Sequence, residues 1–182
     1  FDDFLGLQAA VGRHVTEIHH DANWVRLDLE ERTAIAVVVV AAGAELQRQL
    51  FAGGRFQGIL GEEEIGARLI GDVFAGSGLD AVRRSLPALR EQYAPQMVVV
   101  NAENSAAGSG TSAKQAKQLR DAGANVLTGG NHTLRQTDLF QVLESDPRVL
   151  RPDNIAVRAP GKGMVIADVV GGYRVAVINV MG

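Results

Sequence analysis

The sequence contains no cysteine. Disulfide bridges, thiolate nucleophiles and every cysteine-based zinc or iron–sulfur site are therefore excluded. Histidine is scarce, with four residues, so any metal site must lean on Asp, Glu and Asn. Long hydrophobic runs are missing too. The longest, residues 34–44, is ended by Glu45, Gln47 and Arg48, well short of the roughly 20 residues of a membrane span. No membrane partner is expected. No basic segment leads into a small-residue cleavage site, so no secretory signal is read and a cytoplasmic location is expected. Positive charge is not in excess: 18 Lys and Arg face 21 Asp and Glu, a net charge of −3. A basic nucleic-acid footprint over the whole chain is excluded on that ground. An initiator Met is also lacking. The chain begins at Phe1 and stops at Gly182 after a strand-like run, and it reads as a fragment.

What is present suits a globular protein. Hydrophobic residues make up 46% and charged residues 21%, which rules out global disorder. A length of 182 residues fits one α/β domain, or one domain with an appendage. Residues 1–65 read as an N-terminal α+β extension of unknown function. Phe4, Leu5, Leu7, Val11 and Val15 give a loose helical face. Residues 24–29 alternate apolar and polar, as a half-buried strand does, and residues 33–40 are rich in β-branched side chains. Residues 41–50 read as helix, stopped at Gly53 and Gly54, and Gly58, Gly61 and Glu62 to Glu64 read as a linker.

Residues 66–182 are more regular. Residues 67–72 read as a short strand ending in an acid, 79–93 as an amphipathic helix, and 97–101 as a fully apolar strand. Residues 112–122 read as a second helix, 125–128 as a third strand and 137–144 as a third helix. Residues 165–169 and 174–180 read as a hairpin about Gly171 and Gly172. Strand alternating with helix predicts a parallel sheet with right-handed crossovers.

Three successive strands end in polar residues: Asp72, then Glu103 and Asn104, then Asn131 and His132. In an open α/β sheet the carboxyl ends of the strands share one edge, where ligands bind. Carboxylate and amide oxygens with an imidazole suit Mn²⁺, iron or Zn²⁺. A carboxylate such as Glu103 can bridge two metals, and two metals can clamp a phosphate and generate hydroxide for in-line attack. Taken singly, Asp or Asn after a strand reads more readily as a helix N-cap. Taken together, the three strand ends favour the metal reading, because Glu103 and His132 are poor caps and Gly129 and Gly130 imply close backbone packing.

Five segments in order carry a family resemblance: Ile70-Gly71-Asp72-Val73, Asn101-Ala102-Glu103-Asn104-Ser105-Ala106-Ala107-Gly108, Gly129-Gly130-Asn131-His132, Leu150-Arg151-Pro152-Asp153-Asn154 and Val177-Ile178-Asn179-Val180-Met181-Gly182. Together they resemble the YmdB-type bacterial metallophosphoesterases of the calcineurin-like superfamily, over residues 67–182. The resemblance implies part of a four-layer α/β/β/α sandwich with a dinuclear centre of iron or manganese. It implies hydrolysis of phosphodiesters, notably 2′,3′-cyclic nucleotides, with RNA ends as further substrates. A homo-oligomer is expected on a separate ground: the sheet edge that the second half of the family domain would cover is open, and open edges recruit other chains. Asp72 matches a ligand of one metal, Glu103 the bridging carboxylate, Asn104 a ligand of the first metal and Asn131 one of the second. His132 matches the general acid that protonates the departing oxygen, a role that suits imidazole near neutral pH.

The departures from the pattern are two. About 65 residues precede the first family strand, and the second half of the family domain, with three further metal-binding His, is absent from this sequence. His14, His19 and His20 are the other His; His19-His20-Asp21 reads as a solvated turn rather than a replacement ligand set, since adjacent strand residues point to opposite faces.

Other motifs are weaker. Residues 108–112 before a helix could cradle a phosphate with their amides, but a loop with Ser112 as N-cap is an equal reading. Residues 159–163 lack the glycine a P-loop needs, and Lys162 reads as a turn residue. The expected function is a dimetal phosphodiesterase. Two alternatives stay open: a non-catalytic module that keeps half a site and binds a partner, and a Rossmann-like nucleotide binder.

Overall fold

The computed structural model of the chain describes residues 67–169 and 174–181, preceded by the strand backbone of residues 15–19, 24–27, 34–42, 55–57 and 64–66. Strands β1 (Val15–His19) and β2 (Trp24–Leu27) pair antiparallel. Strand β3 (Ala34–Ala42) and strand β4 (Arg55–Gln57) each join a larger sheet. Strand β5 (Glu64–Ile70), helix α1 (Ala75–Tyr93), strand β6 (Met97–Asn101), helix α2 (Ala113–Asp121), strand β7 (Val126–Thr128), helix α3 (Leu139–Ser145) and strand β8 (Val149–Leu150) follow in alternation. Strands β9 (Met164–Asp168) and β10 (Arg174–Met181) close the chain.

Two sheets result. The five-stranded sheet has the order β4-β5-β6-β7-β8, parallel from β5 to β8 with β4 antiparallel at its edge. The three-stranded sheet has the order β3-β10-β9, with β9 antiparallel and β3 parallel to β10. Strand β3 thus lies before residue 66 in sequence and pairs with β10, far after it, while β4 pairs with the first residues of β5, Glu64 to Gly66.

Strand β6 shows why the layers form. All five of its residues are buried, as expected of a central parallel strand covered on both faces. Side chains alternate along it. Val98 and Val100 pack with Leu79, Val82 and Leu86 of α1 and Leu119 of α2. Met97 and Val99 pack with Ala167 of β9 and Val175 and Val177 of β10. The described residues therefore make three layers, helices, a mixed sheet and a second sheet, in an α/β arrangement.

Several boundaries differ from the sequence reading. Helix α1 begins at Ala75 rather than 79, since Gly76 and Gly78 hide the first turn from a periodicity count. It runs on through Pro87 to Tyr93 and is capped by Ala94, whose left-handed backbone (φ 42) returns its N–H to the Arg90 carbonyl. The helix expected over 137–144 is preceded by a separate 3₁₀ turn at Thr133–Arg135, and two-residue β8 has no counterpart in the reading. Strand β3 extends to Ala42, where the reading placed the start of a helix. Val15, expected on a helical face, opens strand β1; the rest of that face, the helix of 43–50, the linker, and the turn at Gly171 and Gly172 lie outside the described residues. Among the described residues no helix is long and apolar enough to cross a membrane.

Candidate functional site

The carboxyl ends of β5, β6 and β7 meet at one sheet edge, because the parallel ladder carries past each strand end. The Ala102 N–H donates to the Thr128 carbonyl at 2.9 Å, and the Val73 N–H donates to the Asn101 carbonyl at 3.0 Å. Asp72 sits in the first crossover in the left-handed region (φ 35). An Asp tolerates that conformation better than most side chains, and such outliers are typical of sites that must aim a side chain.

Asp72, Asn104 and His132 are joined. The Asn104 amide nitrogen donates to Asp72 Oδ1 at 2.7 Å, and Asn104 Oδ1 lies 2.7 Å from His132 Nδ1. Asp72 can only accept, so the amide nitrogen of Asn104 must face it and the amide oxygen must face His132. His132 Nδ1 therefore carries a hydrogen, and Nε2 is the ring atom left for chemistry.

Glu103 is the buried member of the set, with 7% of its surface exposed. Its own N–H donates to the Asn101 side chain at 3.0 Å, which turns the chain sharply after β6. Its carboxyl is held above the ordinary glutamate range, first by burial and then by the Asp72 carboxylate. His132 and the peptide N–H groups of His132 and Asn131 pull the other way. Oε2 is buried and has no hydrogen-bond partner. Gly130 stands against it: a Cβ there would lie 1.5 Å from Glu103 Oε2. At Gly129 a Cβ would lie 2.0 Å from Thr133 Oγ1, which donates to the Gly130 carbonyl at 2.7 Å. Both glycines are required by close approach. Asn131 is exposed at the head of this turn.

The donors fit a hard or borderline cation in kind. An unpartnered buried carboxylate oxygen beside a second carboxylate is an arrangement that a cation relieves. Asp72 and Glu103 with the amide oxygens of Asn104 and Asn131 would hold it. Among the described residues no group of three or more His, Cys, Asp or Glu converges in metal-binding geometry, so in number the set is short.

The phosphate-cradle motif resolves as a packed loop. The Ala106 and Gly108 amides are spent on the Gly110 and Asn104 carbonyls, each at 2.9 Å. Ser112 is the N-cap of α2, in a capping box with Gln115. Lys162 lies in a backbone bridge, its carbonyl accepting from the Arg151 N–H at 3.0 Å. His14, His20 and Asp21 lie outside the described residues; His19 pairs with Trp24 in the β1–β2 ladder.

Sequence reasoning missed Asn101, Thr133 and Asn179. Each is buried and polar. The signal was available for Asn179, a lone amide within the apolar run 175–180.

A parallel sheet with carboxylate, amide and imidazole donors gathered at its carboxyl edge defines an α/β protein whose candidate site offers donors of the kind a cation takes. The profile of the family described as YmdB-like protein matches residues 69–182, and the chain belongs to that family. A 2′,3′-cyclic-nucleotide 2′-phosphodiesterase of Bacillus subtilis (strain 168) is 36% identical over 113 residues, 62% of this chain and 42% of that protein. A putative phosphatase/phosphodiesterase of Mycoplasma pneumoniae is 31% identical over 117 residues, 62% of this chain and 41% of that protein. Among solved structures, a hypothetical protein from Thermus thermophilus superposes with TM-score 0.59 at 38% identity, covering 64% of this chain and 44% of its own. A phosphatase of Mycoplasma pneumoniae superposes with TM-score 0.57 at 31% identity, covering 63% and 42%. The chain thus spans about two fifths of the length of the curated relatives it matches.

Proposed function

We propose that this chain carries one half of the site of a metal-dependent phosphodiesterase acting on small phosphodiesters such as 2′,3′-cyclic nucleotides. The observation that carries the reading is Glu103, a carboxylate buried beside Asp72 with Oε2 unpartnered. The relatives named as phosphodiesterase or phosphatase support it. Asp72, Glu103, Asn104 and Asn131 would hold two ions of iron or manganese. When bound, such ions polarise a phosphoryl oxygen and supply hydroxide at neutral pH. The other steps belong to the chain. Asn104 fixes the His132 ring through Nδ1, which leaves Nε2 to carry the proton delivered to the departing ribose oxygen. Asp72 in turn orients the Asn104 amide. The second sheet, β3-β10-β9, is read as the inner partner layer of a four-layer sandwich, and residues 66–182 as the first half of that domain.

The test is hydrolysis of a 2′,3′-cyclic nucleotide by the full-length protein. Asp72→Asn and His132→Ala are each expected to lower kcat by at least about 100-fold, the usual worth of a general acid being roughly 10²–10⁴. Unchanged activity in both variants would falsify the assignment. The short ligand set favours a second reading, a non-catalytic module that keeps only half a site. Metal analysis separates the two: a full-length protein that retains no metal and does not turn over supports the module.

A further inference from the structure

Asn179 lies in the middle of an apolar strand, with none of its surface exposed. It shares the parity of Val175 and Val177, which face the five-stranded sheet. A buried carboxamide is costly unless its polar atoms are matched. Here the match is one-sided. The Nδ2 group donates to the Gly129 carbonyl at 3.0 Å and to the Leu150 carbonyl at 3.3 Å. Oδ1 is buried without a partner. A leucine in that place would carry no such cost, so the fold keeps an amide for what its nitrogen does.

The Nδ2 group grips the ends of two strands at once. Gly129 follows β7 and Leu150 ends β8. The Leu150 carbonyl has a second donor, the Gly129 N–H at 2.9 Å. For the Gly129 carbonyl, Asn179 is the hydrogen-bond donor the structure shows. The backbone of Asn179 is itself anchored: its N–H donates to the Gly163 carbonyl at 2.9 Å, and its carbonyl accepts from the Asp153 N–H at 2.8 Å. A residue fixed at both main-chain atoms is a rigid mount.

What it mounts is the turn that builds the site. Gly129 leads to Gly130, which presses on Glu103 Oε2, and then to Asn131 and His132, whose N–H groups point to the Glu103 carboxylate. We propose that Asn179 is a positioning residue, whose carboxamide sets the Gly129 carbonyl and through it the placement of Gly130, Asn131 and His132 over Glu103. The consequence for catalysis rests on the phosphodiesterase reading; the placement itself does not.

The test compares Asn179→Ala with Val177→Ala in the full chain. Val177 is equally buried, on the same face of the same strand, and makes no side-chain hydrogen bond. Urea unfolding gives the loss of stability of each. Amide hydrogen exchange at Asn131 and His132, corrected for that loss, is expected to rise at least about 10-fold in Asn179→Ala and to stay unchanged in Val177→Ala. Calorimetry with Mn²⁺ is expected to show affinity lowered about 10–100-fold by Asn179→Ala, as for residues that orient ligands, and unaltered by Val177→Ala. Should Asn179→Ala not fold, Asn179→Ser, which keeps one hydroxyl donor, takes its place with a smaller shift in the same direction. Equal corrected exchange in the two variants overturns the proposal, since a merely structural amide would affect the turn no more than a missing methyl pair does. If the wild-type chain takes up no Mn²⁺, the metal reading falls and the exchange comparison alone decides the placement.

Discussion

Glu103 concentrates the electrostatic cost of the site. Its folded pKa is raised by burial and by Asp72, so the native state holds the proton more tightly than the unfolded chain. The sign follows from linkage: stability is greatest below the ordinary glutamate pKa, falls as pH rises through the raised value, and stays low above it. Glu103→Gln removes the charge and keeps the shape. In chelator-treated protein it should stabilise the fold by about 1 kcal/mol at about pH 8 and flatten the decline, as read by urea unfolding between about pH 4 and 8. A variant less stable than wild type at the alkaline end would refute the account. Gly130 answers to the same oxygen. Gly130→Ala would drive a methyl group into Oε2 and should cost about 2 kcal/mol, within the range for overpacking, together with hydrolysis. Full activity from this variant would show that the turn stands farther from Glu103. The candidate donors were legible in the sequence because strand-end acids announce themselves; the way Asn104 joins Asp72 to His132 was not, because hydrogen bonds between residues 32 and 28 positions apart leave no local trace.

Elements were legible in proportion to their length and burial. Strand β6 reads from the sequence because a strand covered on both faces is a continuous apolar run. Strand β8 does not, since two residues cannot show a period. Helix α2 was marked by Ser112, and the structure sets that residue at the N-cap, where Gln115 completes a capping box that the sequence reading did not name. Ser112→Ala should destabilise the protein by about 1 kcal/mol, the usual worth of an N-cap. Affinity for inorganic phosphate should be untouched, because the capping hydroxyl is turned to the Gln115 backbone. A loss of phosphate binding at unchanged stability would restore the cradle that the packed loop argues against.

At the scale of the molecule, pairing decides what local sequence cannot. Strand β10 has neighbours on both sides, β9 and β3, so β3 covers one edge of it. Removal of residues 1–63 should uncover it and yield dimers or larger species in sedimentation, since unpaired strand edges recruit other chains; a monomeric product would show that β3 guards nothing. For residues 1–182, Mn²⁺ binding should be weak and turnover of cyclic nucleotides poor, because the described donors are oxygens with one imidazole. A tight pair of ions measured by calorimetry would contradict this. The β3–β10 pairing also bears on synthesis. Ala34–Ala42 leaves the ribosome long before Arg174–Met181 exists, and a parallel partner cannot be supplied by a local hairpin. This apolar strand must therefore wait, without its native neighbour, until translation of the described residues is almost complete. That nascent interval is when a ribosome-associated chaperone would find its substrate.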